Sequence, residues 1–144
     1  MIVFSKILYV TDFSESSEYA GQYAISIAGK YGCRIYVVHV VEPFTYADDF
    51  GINYGAQLRE MEATAGRLLD NAVASMKRTG ADIEGVLLSG NPSAEIVKFA
   101  KDNAIDLIVM STHGRSGVEH ILMGSVAEKV LRKSPCPVLT VKKT

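Results

Sequence analysis

Ile105-Asp106-Leu107-Ile108-Val109-Met110-Ser111-Thr112-His113-Gly114-Arg115-Ser116-Gly117 passes directly from an apolar run into a polar, glycine-bearing loop. Leu107 to Met110 leave no polar face, so a strand here has to be covered on both sides, as in a parallel sheet. Tyr36-Val37-Val38 repeats the signature. Outward from these two, the strand candidates are Lys6 to Val10, Arg34 to Val41, Ile83 to Ser89, Ile105 to Ser111 and Val138 to Lys142. Stretches of helical period separate them, and strictly alternating strands and helices define an α/β domain with a doubly wound sheet of five parallel strands.

The helices read from three- and four-residue steps. Ala20, Tyr23, Ala24, Ile27, Ala28 and Tyr31 share one face, and Gly32 stops that helix. A second stripe carries Leu58, Met61, Ala65, Leu68, Leu69, Ala72, Val73 and Met76 and ends at Gly80. Asn91-Pro92 reads as an N-cap followed by proline at the first helical position, with Ile96, Val97 and Ala100 facing inward. The last helix opens at Gly124-Ser125, turns Val126, Ala127, Val130 and Leu131 inward, and places Arg132 and Lys133 at its negative end. Ser125-Val126-Ala127-Glu128 has the spacing of a capping box.

At 144 residues, 48% hydrophobic and 22% charged, the chain suits one domain spanning 1–144 with a core that needs no disulfide or metal. Fifteen basic against 16 acidic side chains give a net charge of -1, which argues against a nucleic-acid partner. The apolar run Ile35 to Val41 is far shorter than the roughly 20 residues of a membrane helix, so no membrane association is expected. Met1-Ile2-Val3-Phe4 does not open as a secretory signal, and a cytoplasmic location is expected. Cys33 and Cys136 have no partner at ligand spacing and are expected to be reduced structural thiols. His113 and His120 lack a third ligand, so no metal is assigned to protein side chains.

Two connections are long, Glu42 to about Gln57 and Thr112 to Met123, and long loops in small domains usually carry function. The first, with Tyr46, Asp48, Asp49, Phe50 and Tyr54, reads as a lid or a partner surface. In a doubly wound sheet, ligands bind beyond the carboxyl ends of the strands where strand order reverses. Those ends are Val10-Thr11-Asp12-Phe13-Ser14, His39-Val40-Val41-Glu42-Pro43 and the loop that follows Met110. In that loop Gly114, Gly117 and Gly124 let main-chain N–H groups approach an anion, and the helix behind adds partial positive charge. Neither a Walker loop nor Gly-x-Gly-x-x-Gly is present. The end of the third strand, Leu87-Leu88-Ser89-Gly90-Asn91, lacks the phospho-accepting aspartate of a two-component receiver, and the absence of Trp disfavours a flavodoxin-like carrier.

Over essentially its whole length the chain resembles the universal stress proteins. The resemblance rests on Ile7-Leu8-Tyr9-Val10-Thr11-Asp12-Phe13-Ser14, Val38-His39-Val40, Gly114-Arg115-Ser116-Gly117, Gly124-Ser125 and Pro135-Cys136-Pro137-Val138-Leu139. It implies a Rossmann-like sheet of strand order 3-2-1-4-5 with helices on both faces. ATP-binding members of that family carry Gly, two residues, Gly, nine residues, then Gly followed by Ser or Thr. Gly114, the nine residues Arg115 to Met123, and Gly124-Ser125 match, while Ser111 replaces the first glycine. A serine hydroxyl there is expected to donate to a phosphate oxygen.

The resemblance implies that Asp12 accepts from the ribose hydroxyls and that the Val40 main chain reads the adenine edge. The local alternative for Asp12 is an Asx turn beside the N-cap Ser14. The implied nucleotide contacts are Val10, Thr11, Asp12, Val40, Met110, Ser111, Gly114, Arg115, Gly117, Gly124, Ser125, Val126 and Ala127. Any Mg²⁺ would arrive on the nucleotide and take few protein ligands. With no lysine in the loop to clamp a transferring phosphate, the expected role is a regulatory module of the stress response with ATP hydrolysis slow or absent. The rival is a dimeric scaffold of the same family that binds no nucleotide. The resemblance also implies a homodimer, and Val138 to Val141, an apolar strand at a sheet edge, would supply the pairing surface.

Overall fold

In the computed structural model, residues 1–43, 55–114 and 123–144 are described. Their elements run β1 (Lys6–Val10), α1 (Glu15–Tyr31), β2 (Arg34–Val41), α2 (Gly55–Lys77), β3 (Asp82–Ser89), α3 (Pro92–Asp102), β4 (Leu107–Ser111), α4 (Ser125–Lys133) and β5 (Val138–Val141). The strands form one parallel sheet ordered β3-β2-β1-β4-β5.

Strand alternation divides the core between two faces. Ile7, Tyr9, Ile35, Val37, Leu107 and Val109 face α1 and α2, meeting Ala20, Ala24, Ala28, Leu69 and Met76. Leu8, Val38, Ile108 and Met110 face α3 and α4, meeting Ile96, Ala100, Ala127 and Val130. Every residue of β4 is buried, which explains its unbroken apolar sequence. Right-handed crossovers require this layering, because the chain winds one way from β1 through β3 and the other way from β4 to β5.

The caps explain most boundaries. Ser14 Oγ accepts the Ser17 N–H at 3.2 Å to start α1. Gly32, at φ 70°, ends it in the left-handed conformation that glycine tolerates. Asn91 Oδ1 accepts the Ala94 N–H at 3.1 Å ahead of α3.

Several local expectations are corrected. β4 begins at Leu107 rather than Ile105, because Ile105 N–H returns to Ala100 O (3.0 Å) to close α3, and Ala104 turns the chain at φ 52°. β5 ends at Val141, the residue paired with the last of β4, so Lys142 has no strand to pair with there. β3 starts one residue early, at Asp82. Tyr23, Tyr31, Leu68 and Leu131 flank their stripes and remain 42, 51, 40 and 49% exposed. Small residues, Ala20, Gly21, Ala24 and Ala28, form the buried stripe of α1 and bring it close to the sheet. Cys33 is buried, its thiol donating to Phe4 O at 3.1 Å, whereas Cys136 is half-buried; both are free thiols. Burial raises the pKa of each. No described helix is long and apolar enough to cross a membrane.

Candidate nucleotide site

Because the chain leaves β1 and β4 toward opposite faces, a crevice opens between their carboxyl ends. A cavity of 330 Å³ lies there. Val10, Thr11 and Asp12 border it from the end of β1 and the turn beyond it, Val40 from β2, Met110, Ser111 and Gly114 from β4 and the turn beyond it, and Gly124 to Ala127 from the start of α4. These positions lie in four separate segments of the chain, and all of them are among the residues that the family resemblance implies. Arg115 and Gly117 lie outside the described residues, as do His120 and residues 44–54 of the anticipated lid. The cavity wall also includes Ser17, His39, Pro92, Ile96 and Thr112, none of them among the implied nucleotide contacts. Pro92 and Ile96 belong to the opening of α3, a position that spacing along the chain does not reveal.

Asp12 is held by its own turn. Its Oδ1 accepts the Ser14 N–H at 3.0 Å, so the Asx turn is present. Thr11 Oγ1 accepts the Phe13 N–H at 3.0 Å, and the Thr11 N–H donates to Val38 O at 2.9 Å. Beneath, Thr11 Oγ1 lies 3.1 Å from the buried Ser17 Oγ, and the Tyr9 hydroxyl donates to Ser17 O at 2.5 Å. Burial pushes the Tyr9 phenol up to about 12. Two buried contacts beneath and two part-buried ones within the turn therefore fix the segment that presents Asp12.

Across the crevice, α4 differs from the other capped helices. Its N-cap is Gly124, and no side chain makes a cap hydrogen bond. The anticipated capping box is not formed: the Glu128 N–H donates to Gly124 O at 3.0 Å, Ser125 stands at the first helical position, and the Glu128 carboxylate pairs with Arg132. The first-turn amides of Ser125, Val126 and Ala127 precede the first intrahelical donor and carry the partial positive end of the helix dipole. Gly124 N–H is itself used, donating to Thr112 O at 2.7 Å and tying the helix start to β4.

Ser111 closes β4. Its hydroxyl donates to His113 O at 2.8 Å, inside the loop. In this arrangement the serine hydroxyl ties the end of β4 to the turn that follows it.

Asp12 and His39 are the titratable side chains on this wall, and no lysine or arginine borders it among the described residues. Nor does any group of three described His, Cys, Asp or Glu residues have the arrangement of a metal site. Two other cavities adjoin. One of 630 Å³ lies against α2, with Glu42 and Glu60 in its wall, two carboxylates that oppose an anion. Another, of 470 Å³, lies between α1 and α2. Neither faces the uncapped start of α4, so the smallest of the three has the best chemistry for a phosphate.

Residues 4–142 match the Universal stress protein family, and the chain belongs to that family. It is 37% identical over 142 residues to universal stress protein MJ0531 of Methanocaldococcus jannaschii, covering 98% of this chain and 84% of the relative. The solved structure of protein MJ0577, a universal stress protein of the same organism, superposes with a TM-score of 0.85 at 30% identity over 99% of each chain. A universal stress protein of Archaeoglobus fulgidus, solved in complex with dAMP, has a TM-score of 0.71 and 28% identity, covering 99% of this chain and all of the other.

Proposed function

We propose that this chain binds ATP in the β1–β4 crevice and serves as a nucleotide-responsive regulatory module of the stress response. The observation that carries the reading is the uncapped start of α4 in the same cavity wall as a turn-locked carboxylate. Amides there suit phosphate oxygens, and Asp12 suits a pair of vicinal hydroxyls, since an ionised carboxylate only accepts. Val10, Val40, Met110 and Ile96 offer apolar contact to a base, with the Val40 main chain reading its edge. Arg115 and Gly117 complete the proposed contacts to the phosphates. The dAMP complex of the A. fulgidus relative supports an adenine nucleotide in general; the preference for a triphosphate is our own reading, from the glycine spacing and the helix terminus.

Mg²⁺ would come with the triphosphate, held by phosphate oxygens and water. Hydrolysis is slow or absent in this reading, because Asp12 is committed to the ribose and the described wall has no cation to clamp a leaving phosphate. We propose further that two copies pair through Val138 to Val141 and that the protein works in the cytoplasm, where ATP is present and thiols stay reduced.

Calorimetry with MgATP, joined to mass spectrometry of small molecules released on denaturing the purified protein, tests the reading. The expected result is a 1:1 complex or a co-purifying adenine nucleotide. A blank in both would assign the chain to the ligand-free scaffold class. Turnover of several per second, abolished by one substitution in the crevice, would overturn the non-catalytic role.

A further inference from the structure

His39 stands between two parts of the crevice. On β2 it separates Val38, whose carbonyl accepts the Thr11 N–H at 2.9 Å, from Val40, which borders the cavity. Its Nδ1 lies 2.8 Å from Thr11 O. A carbonyl oxygen only accepts, so Nδ1 carries a proton and donates it. Both main-chain polar groups of Thr11 are therefore held by β2, one through backbone and one through this ring.

The consequence passes to the next residue. The Thr11 carbonyl and the Asp12 N–H belong to one planar peptide unit, so fixing that oxygen fixes the plane from which Asp12 departs. Phe13 then adopts φ 65°, a conformation that strains a bulky residue and persists only when its surroundings enforce it. Its ring packs on His39, with centroids 4.5 Å apart and planes at 38°. The Asx turn and the Thr11 hydroxyl contact arise within the turn itself. His39 alone among these side-chain contacts reaches it from another strand.

We infer that His39 is a positioning residue for sugar recognition: by donating to Thr11 O and stacking on Phe13, it aims the Asp12 carboxylate at the ribose hydroxyls. This rests on the nucleotide reading given above. The ring need not touch the ligand, and its removal should alter which nucleotide is preferred as well as how tightly it binds.

The test compares the affinity of MgATP with that of its 2′,3′-dideoxy analogue in the wild type, His39→Leu, His39→Gln and His39→Asn. The Asn amide nitrogen can take the place of Nδ1, whereas that of Gln reaches toward the place of Nε2. Wild type should favour ATP by about tenfold or more, the worth of hydrogen bonds to a charged acceptor. The Leu and Gln variants should lose most of that preference, to within about twofold of parity, and Asn should retain it. A merely structural role would shift melting temperature and both affinities together, leaving their ratio unchanged. If the Leu variant does not fold, the Gln and Asn pair decides, since both are polar and differ in reach. Full preference in the Gln variant would overturn the inference. A wild type that binds both nucleotides equally would also refute it, while a wild type that binds neither would remove the nucleotide reading itself.

Discussion

A β-carbon built on Gly114 would lie 2.6 Å from Oδ2 of Asp12. That is closer than a real Cβ contact, so the Asp12 carboxylate holds this position beside the turn after β4 only while residue 114 has no side chain. Gly114→Ala should push the Asp12 carboxylate off its position and weaken MgATP binding by about tenfold, with little change in melting temperature because the contact lies at the crevice and not in the core. Calorimetry beside a thermal melt checks this. Unchanged affinity would show that the carboxylate does not touch the ligand.

The β1–α1 support can be tested through Tyr9. The phenol is 3% exposed and donates to Ser17 O, so Tyr9→Phe should cost about 1–2 kcal/mol in urea unfolding near neutral pH. Burial raises its pKa to about 12 from the ordinary value near 10. Between those values the unfolded chain binds fewer protons than the folded one, so this contribution to stability falls as pH rises from about 10 to about 12. The Phe variant should lack that component, and the two stability curves should converge over this window. Parallel curves would contradict the assignment.

Much of this architecture was legible in the chain, and for physical reasons. Unbroken apolar runs such as Leu107 to Met110 exist because β4 is covered on both faces. Asn91-Pro92 and Gly32 marked helix ends because each side chain, or its lack, is dictated by the backbone there. Side-chain hydrogen bonding was not legible. Ser125 and Glu128 have capping-box spacing, yet Gly124 takes the N-cap and Glu128 turns to Arg132. Ser111 turns its hydroxyl into the loop because His113 O is within reach, a proximity created by the fold of the turn. His39 stands near the carboxyl end of the second strand in the sequence, but its donor role depends on Thr11 O, contributed from beyond a different strand.

Asp106 holds the N-terminal segment to the start of β4. Its carboxylate accepts the Ser5 and Lys6 N–H groups at 2.8 and 2.9 Å and the Ser5 hydroxyl at 2.9 Å. Partial burial opposes ionisation, but these hydrogen bonds and Lys6 outweigh it and lower the pKa. The stabilisation is therefore present above the unfolded-state pKa near 3.9 and is lost as pH falls through the lower folded-state value. Asp106→Asn should cost about 1 kcal/mol at pH 6, the low end of the range because the group is partly exposed, and the gap from wild type should narrow below about pH 4. Chemical denaturation at the two pH values provides the comparison.

The edge strand β5 makes a prediction about assembly. The carbonyls of Pro137 and Val141 accept from Ile108 and Thr112 on the β4 side, so with a period of two the N–H of Thr140 points away from the sheet. Thr140→Pro removes that outward donor without touching the β4 ladder. If copies pair through Val138 to Val141, sedimentation should give twice the 15.6 kDa chain mass for wild type and a folded monomer for the variant. A variant that remains dimeric would move the interface elsewhere.

The central claim concerns three backbone amides. In ¹H–¹⁵N spectra recorded during a titration with MgATP, the account predicts saturable shifts concentrated at Ser125, Val126 and Ala127, with smaller ones at Thr11, Asp12 and Val40. Adenosine, which lacks phosphates, should move the second group and leave the first unchanged. Saturation by MgATP with the α4 amides unmoved would contradict the account, because the phosphates would then lie somewhere other than the start of that helix.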